Sequence, residues 1–433
     1  MMNIRFYNAR ILILKRKRRF EIIEGELWVR GNTICYIGDG TDVASVCKNP
    51  EDIIIWDREM DVKRNLLMPG FKDAHTHSAM TFLRSKADDL PLQEWLNEQI
   101  FPMEAKLTGE EAYHFAKIAI MEYLTSGITS VFDMYIYPKE VIQAGIDCGF
   151  RIVQVSGLNN FTSSLEELEE QYIKYNSYHE LCSYKLGFHA EYTTDYRLLK
   201  GLSDLSHKYQ APVYTHNSET KKEVAECRER YGKSPTQLME ELGLYDYGGG
   251  GYHCVWFDDE DIRIFQDRKL SVITNPASNL KLASGTAPLT KMQKAGINIA
   301  IGTDGPASNN CLDMLREMFL VSGLAKLREG DAAVMDGNDV LYMATTGGAH
   351  AMGLFDCDCL EVGKKADLIL IDLHQPNMQP ENNITKNLVY SGSKQNVKLT
   401  MVNGRILYED DQFHIGEEPE EIYRKANEIV SKM

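Results

Sequence analysis

The sequence predicts a (β/α)8 (TIM) barrel carrying a small β-sandwich domain assembled from the two chain ends. Three observations lead there. The middle of the chain alternates apolar, strand-like runs with amphipathic stretches, both flanks are rich in short strands, and polar residues recur where the apolar runs of the middle stop.

Residues 4–14, 21–30, 33–37 and 53–56 read as strands, with Gly31-Asn32 and Gly38-Asp39-Gly40 as turns. The basic stretch Lys15-Arg16-Lys17-Arg18-Arg19 reads as a solvated hairpin turn. A secretory leader places its charge ahead of a longer apolar run, whereas here the short run 11–14 comes first. In the middle, strands are expected to begin at Leu66, Ile128, Arg151, Lys185, Pro212, Tyr252, Ser271 and Ile297, with helices such as 109–126 and 221–242 between them. Eight strands with intervening helices over roughly 290 residues have the rhythm of a barrel. A doubly wound open sheet would carry a glycine-rich phosphate loop after its first strand, and neither GxGxxG nor GxxxxGK[ST] occurs. Strands return at 366–373, 397–402 and 405–408 around the turn Asn403-Gly404. A helix over 419–433 closes the chain, with Ile422, Ala426, Ile429 and Val430 at helical spacing. The expected division is residues 1–65 with 362–433 as the β domain and 66–361 as the barrel.

With 43% hydrophobic residues, the 433-residue chain can bury a large core. A net charge of −16 argues against nucleic acid and against anionic membranes as partners. The nine cysteines are scattered without a CxxC pair, and Cys357-Asp358-Cys359 reads as reduced thiols, so a cytoplasmic location is expected. No apolar stretch approaches the ~20 residues of a membrane span.

His75 and His77 stand two apart at the end of an apolar run, so both imidazoles project from one strand face. His216, His253 and Asp304 close later apolar runs, and Glu219 follows His216 by three residues. In a barrel these strand ends meet at one mouth. Three imidazoles and a carboxylate suit a divalent ion, so His75, His77, His216 and Asp304 are the expected ligands. Zinc leads, with Fe2+ or another divalent transition metal as alternatives. Lys185 lies at the wrong end of its strand to bridge a second ion, so one metal is expected. Such an ion acidifies a water from a pKa of about 16 to about 7. Asp304 and His253 are then suited to take a proton and Glu219 to deliver one to the substrate. His189-Ala190-Glu191 resembles half of another zinc-deaminase motif, but the partner PCxxC is absent.

The ordered set of HxH, His, His and Asp resembles the amidohydrolase superfamily. The similarity goes further, in Pro69-Gly70-Phe71-Lys72-Asp73-Ala74-His75-Thr76-His77, Trp95-Leu96, Phe101-Pro102-Met103-Glu104-Ala105, His216-Asn217-Ser218-Glu219-Thr220, Tyr231-Gly232-Lys233-Ser234-Pro235 and Gly302-Thr303-Asp304-Gly305-Pro306-Ala307-Ser308-Asn309-Asn310. These segments resemble the 5′-methylthioadenosine/S-adenosylhomocysteine deaminases over nearly the whole chain. The resemblance implies one zinc ion and hydrolytic release of the adenine 6-amino group from a small nucleoside. Glu219 would protonate the ring, and His253 with Asp304 would manage the water proton. Trp95 would pack near the sugar, Glu104 would accept from the ribose hydroxyls, and His189 and Arg151 would contact substrate. Relatives of this kind commonly form homo-oligomers, a state the sequence leaves open. The runner-up is a related reaction on another heterocycle: guanine, pterin or a triazine.

Two departures stand out. The family's His-Ala-Pro-Tyr-Thr reads His189-Ala190-Glu191-Tyr192-Thr193 here, and no second arginine occurs in residues 156–164. A homocysteine carboxylate calls for a guanidinium. The expectation therefore tilts to smaller, uncharged 5′ groups, as in methylthioadenosine or 5′-deoxyadenosine.

Overall fold

The computed structural model describes residues 2–15, 18–41, 54–86 and 88–433. Among them the strands form a nine-stranded mixed sheet and an eight-stranded parallel sheet. The N-terminal flank supplies β1 (Asn3–Lys15), β2 (Arg19–Arg30), β3 (Thr33–Gly38), β4 (Arg58–Asp61) and β5 (Leu66–Pro69). The barrel strands are β6 (Phe71–Thr76), β7 (Ile128–Met134), β8 (Arg151–Val155), β9 (Cys182–Gly187), β10 (Val213–Asn217), β11 (Gly249–His253), β12 (Ser271–Thr274) and β13 (Asn298–Ile301). The C-terminal flank returns with β14 (Leu368–Ile371), β15 (Val397–Val402), β16 (Arg405–Glu409) and β17 (Gln412–Phe413).

The two flanks pair into one curled sheet. β14 lies antiparallel to β5, and β5 parallel to β1, so chain ends remote in sequence become neighbours. The curl brings Phe6, Leu27 and Ile34 into one apolar core with Leu368, Leu399 and Met401, which gives the two layers of a sandwich. Register between β1 and β2 runs to Lys15 opposite Arg19; of the basic stretch expected to turn there, Arg16 and Lys17 lie outside the described residues. Of the expected strand at 53–56, Ile53 lies outside the described residues and 54–56 are irregular; β4 pairs parallel to β1 just beyond.

The run beginning at Leu66 is two strands, one in each sheet. Gly70 is the joint, because a Cβ there would stand 2.1 Å from Thr129 Cγ2. The expected helix 221–242 is likewise two, Lys221–Tyr231 and Pro235–Glu241. Gly232, at φ +70°, ends the first, and Ser234 caps the second with Pro235 in its first turn. The helices Gly109–Thr125 and Pro419–Val430 match their expected positions.

Inside the barrel, Ala74, Phe132, Val153, Tyr214, Tyr252, Ile273 and Ala300 fill the lumen, so it is a packed core rather than a pore. The seam between β6 and β13 is closed by side chains as much as by backbone. The Asp73 carboxylate accepts from the Thr303 N–H at 2.8 Å and its hydroxyl at 2.6 Å, and the Asp304 N–H donates to the His75 carbonyl at 2.9 Å. Gly302 permits the approach: a Cβ would meet the His75 carbonyl oxygen at 2.7 Å.

At the opposite end of the barrel, Arg151 and Lys72 converge on Asp367 beside β14. Arg151 donates at 3.0 and 3.1 Å and Lys72 at 3.5 Å, all fully or almost fully buried. This corrects the expected substrate role of Arg151. As the first residue of β8 it points to the closed end and joins barrel to flanking sheet. Cys148, Cys182, Cys227, Cys254, Cys311, Cys357 and Cys359 are free thiols, and among the described residues no helix is long and apolar enough to cross a membrane.

Candidate active site

The alternation of apolar strand and polar strand end places the site residues on one rim. His75 lies near the end of β6 with His77 just beyond it, His216 lies in β10, His253 ends β11, and Asp304 follows β13 by three residues. His253 and Asp304 adopt left-handed backbone, φ +69° and +58°, a conformation costly for non-glycine residues and concentrated at functional sites.

One ligand atom from each of His75, His216, His253 and Asp304 lies within 4.8 Å of every other, and all four residues are buried. That span is close to twice a zinc–nitrogen bond of about 2.1 Å. His77 joins through Asp304, its Nε2 standing 3.2 Å from Oδ1. Orientation is set by outer partners. His77 Nδ1 donates to the Met134 carbonyl at 2.6 Å and His216 Nδ1 to the His189 carbonyl at 2.7 Å, which turns each Nε2 inward. His253 Nδ1 bonds Asn279 Oδ1 at 2.7 Å. His75 stacks on Tyr252 at 3.8 Å, and neither of its buried ring nitrogens has a hydrogen-bond partner. Its Nε2 lies 3.3 Å from Asp304 Oδ1 but off hydrogen-bonding geometry. An orphaned imidazole nitrogen beside a carboxylate and two aligned imidazoles fits a divalent cation.

The protein's own electrostatics agree. Burial pushes His75 down to about 3 and holds His216 well below its ordinary value, so both present neutral rings. Burial also opposes protonation of His77, but the Asp304 bond more than offsets it and leaves that imidazole at about 9. Burial pushes the Asp304 carboxyl up, but the imidazoles of His75 and His77 close to Oδ1 outweigh it and hold the group well below the carboxylate range. Without a cation this pair is an ion pair; a cation takes the place of the proton. Asp304 Oδ2 is fixed by Ser278 at 2.5 Å and Ser308 at 2.9 Å.

The cluster forms the floor of a cavity of about 720 Å3. Glu219 faces it, 3.9 Å from His253 Nε2 and accepting from the Ser284 hydroxyl at 3.1 Å; burial raises its carboxyl above the ordinary range. Glu223 steadies that turn by accepting from the Ser218 and Glu219 N–H groups, each at 2.8 Å. Trp95, Glu104 and His189 line the walls. Trp95 Nε1 and Glu104 Oε1 are buried without partners, and burial pushes Glu104 up to about 7. His189, bonded through Nδ1 to Thr193 Oγ1 at 2.9 Å, is pushed down to about 4 by burial.

Of the expected site residues the structure gathers His77, Trp95, Glu104, His189, His216, Glu219, His253 and Asp304 around one cavity, sets His75 against His216, His253 and Asp304 behind its lining, and leaves out Arg151. The sequence reading missed the supporting set of Ser278, Asn279, Ser284, Ser308 and Glu223. Asn275-Pro276-Ala277-Ser278-Asn279 carries the same signal as the other rim segments, a polar stretch ending an apolar strand.

The amidohydrolase family profile matches residues 66–407. A 5-methylthioadenosine/S-adenosylhomocysteine deaminase of Caldanaerobacter subterraneus subsp. tengcongensis is 38% identical over 418 residues, 94% of this chain and 93% of the relative. A 5′-deoxyadenosine deaminase of Methanobrevibacter smithii is 36% identical over 96% of this chain and 95% of its own. Among solved structures, an adenosine deaminase from Xanthomonas campestris with bound zinc superposes with a TM-score of 0.91 at 29% identity, covering 99% of each chain. Profile, relatives and the buried histidine–aspartate rim agree: the chain belongs to the amidohydrolase family, among relatives that are hydrolytic deaminases.

Proposed function

We propose that the protein hydrolyses the 6-amino group of an adenosine derivative, taking up water and releasing ammonia and the corresponding inosine analogue. One observation carries the reading: a buried carboxyl with a raised pKa, Glu219, faces the same cavity as a cation-ready cluster, and the cavity walls hold a carboxyl with one unpartnered oxygen and an unpartnered indole N–H. The deaminase names of the relatives support it.

His75, His216 and Asp304 would hold the ion, zinc in this reading. His77 completes the set, because His253 Nε2 also faces Glu219. When bound, such an ion supplies Lewis acidity that brings a water to a pKa of about 7. The chain's residues do the rest. Glu219, its carboxyl raised above the ordinary range by burial, gives a proton to the purine ring nitrogen beside C6. His253 and Asp304 receive the proton of the attacking water and return it to the departing amine. Glu104 accepts from ribose hydroxyls with its free oxygen, Trp95 covers the sugar, and His189, neutral, offers Nε2 to the base. The setting we infer is cytoplasmic, in keeping with the seven free thiols from Cys148 to Cys359.

The test is ammonia release by zinc-loaded protein on methylthioadenosine, 5′-deoxyadenosine, S-adenosylhomocysteine, adenosine, adenine and guanine. Turnover of a 5′-modified adenosine is the expected result; turnover of free guanine alone would transfer the chemistry to another heterocycle.

A further inference from the structure

The cavity has a depth axis that exposure makes legible. Its floor is buried, whereas Asn97, Phe101, Pro102, Phe161 and Thr162 on its wall are exposed and so mark the mouth. With the reacting carbon at the floor, whatever extends from the far side of the sugar lies among these mouth residues. None of them is charged.

The loop that shapes this end is built rather than loose. Asn159 Oδ1 accepts from the Phe161 N–H at 2.8 Å and the Thr162 N–H at 3.0 Å, while its Nδ2 donates to Thr162 Oγ1 at 2.8 Å. This Asx turn spends the loop's polar groups on itself and holds the Phe161 ring, 79% exposed, at the rim. Among the described residues lining the cavity there is no lysine or arginine, and the charged ones besides histidine are Glu104, Glu219 and Asp304. Arg151 is committed to Asp367 at the opposite end of the barrel. A carboxylate entering this cavity would lose water and gain no guanidinium or ammonium partner.

We propose that the mouth formed by Phe101 and the Asn159–Thr162 turn selects adenosines with a neutral, apolar 5′ substituent and discriminates against one ending in a carboxylate. The inference rests on the adenosine reading above. It separates the two substrates coupled in the relatives' name, since S-adenosylhomocysteine carries an amino-acid carboxylate and methylthioadenosine does not.

The experiment compares kcat/KM for methylthioadenosine, 5′-deoxyadenosine and S-adenosylhomocysteine on zinc-loaded wild type, Phe161→Arg and Thr162→Arg. In the wild type, S-adenosylhomocysteine should fall at least about tenfold below methylthioadenosine, the scale of one missing charge-assisted hydrogen bond. At least one arginine variant should raise the ratio of S-adenosylhomocysteine to methylthioadenosine by about tenfold, with the gain shrinking in high salt. Equal handling by the wild type, or an unmoved ratio in both variants, would overturn the selectivity. No turnover of any adenosine would instead sink the underlying reaction, and calorimetric affinities of the wild type for the two ligands would then judge the selectivity alone, by the same ranking.

Discussion

At the scale of single residues, the sharpest consequence concerns Glu219. Replacing it by Gln keeps the size and the bond from Ser284 but removes the transferable proton. Turnover on the best adenosine should drop by about 10²–10⁴-fold while zinc content and melting temperature hold, as followed by ammonia release and metal analysis. A near-wild-type rate would remove Glu219 from proton transfer. Glu104→Ala asks a different question: KM should rise for nucleosides and change little for free bases, and equal losses on both would count against a ribose contact. Residue identity was legible for the floor of the site because histidine and carboxylate at the ends of apolar strands contradict packing. It was not legible for Arg151. Position within a strand decides which end of the barrel a side chain faces, and Arg151 opens its strand rather than ending it.

At the scale of elements, the segments after β12 and β13 act as one brace. Glu317, fully buried on the helix Met314–Glu329, accepts from the Ala277 N–H at 3.0 Å and from Asn309 Nδ2 at 2.9 Å. It thereby ties the helix bearing Ser278 and Asn279 to the loop that follows Asp304. Burial raises its pKa from 4.5 to about 8. The folded protein therefore keeps a proton that the unfolded chain gives up near 4.5, so this group costs stability progressively as pH rises from about 4.5 to about 8. Glu317→Gln has no proton to lose. Denaturation across that range should show the variant gaining on the wild type with rising pH, and parallel curves would refute the buried-acid account. Elements themselves were legible where period and caps agreed, as in Gly109–Thr125 with its Thr108–Glu111 capping box. Breaks inside apolar or helical runs were less so. Gly70 and Gly232 look ordinary in sequence, and only the close neighbour of the first and the positive φ of the second reveal them as joints.

For the whole molecule, the barrel and the curled sheet share a buried polar joint. Asp367 serves Arg151, Lys72 and the Asn403 N–H at once. Asp367→Asn strands two buried cations and should lower stability by about 3–5 kcal/mol in chemical denaturation, with KM of the remaining folded enzyme unchanged. A rise in KM would restore a substrate role to this end of the barrel. The alternation of strand and helix made the barrel legible. That the two flanks fuse into one sheet followed from their matching character, whereas the pairing of β5 with β14 depends on contacts some 300 residues apart, to which local pattern is blind.

The seam of the barrel carries a last implication, for biosynthesis. Asp73 and Thr303, which close it, are separated by 230 positions, and the ligand-bearing neighbours His75 and Asp304 sit astride the same line. Nothing resembling the active site can exist on a ribosome-bound chain until the eighth strand has emerged and found the first. Catalytic competence in this enzyme thus waits for synthesis to pass Asp304: a polypeptide released before that point is inert however well its earlier strands have folded.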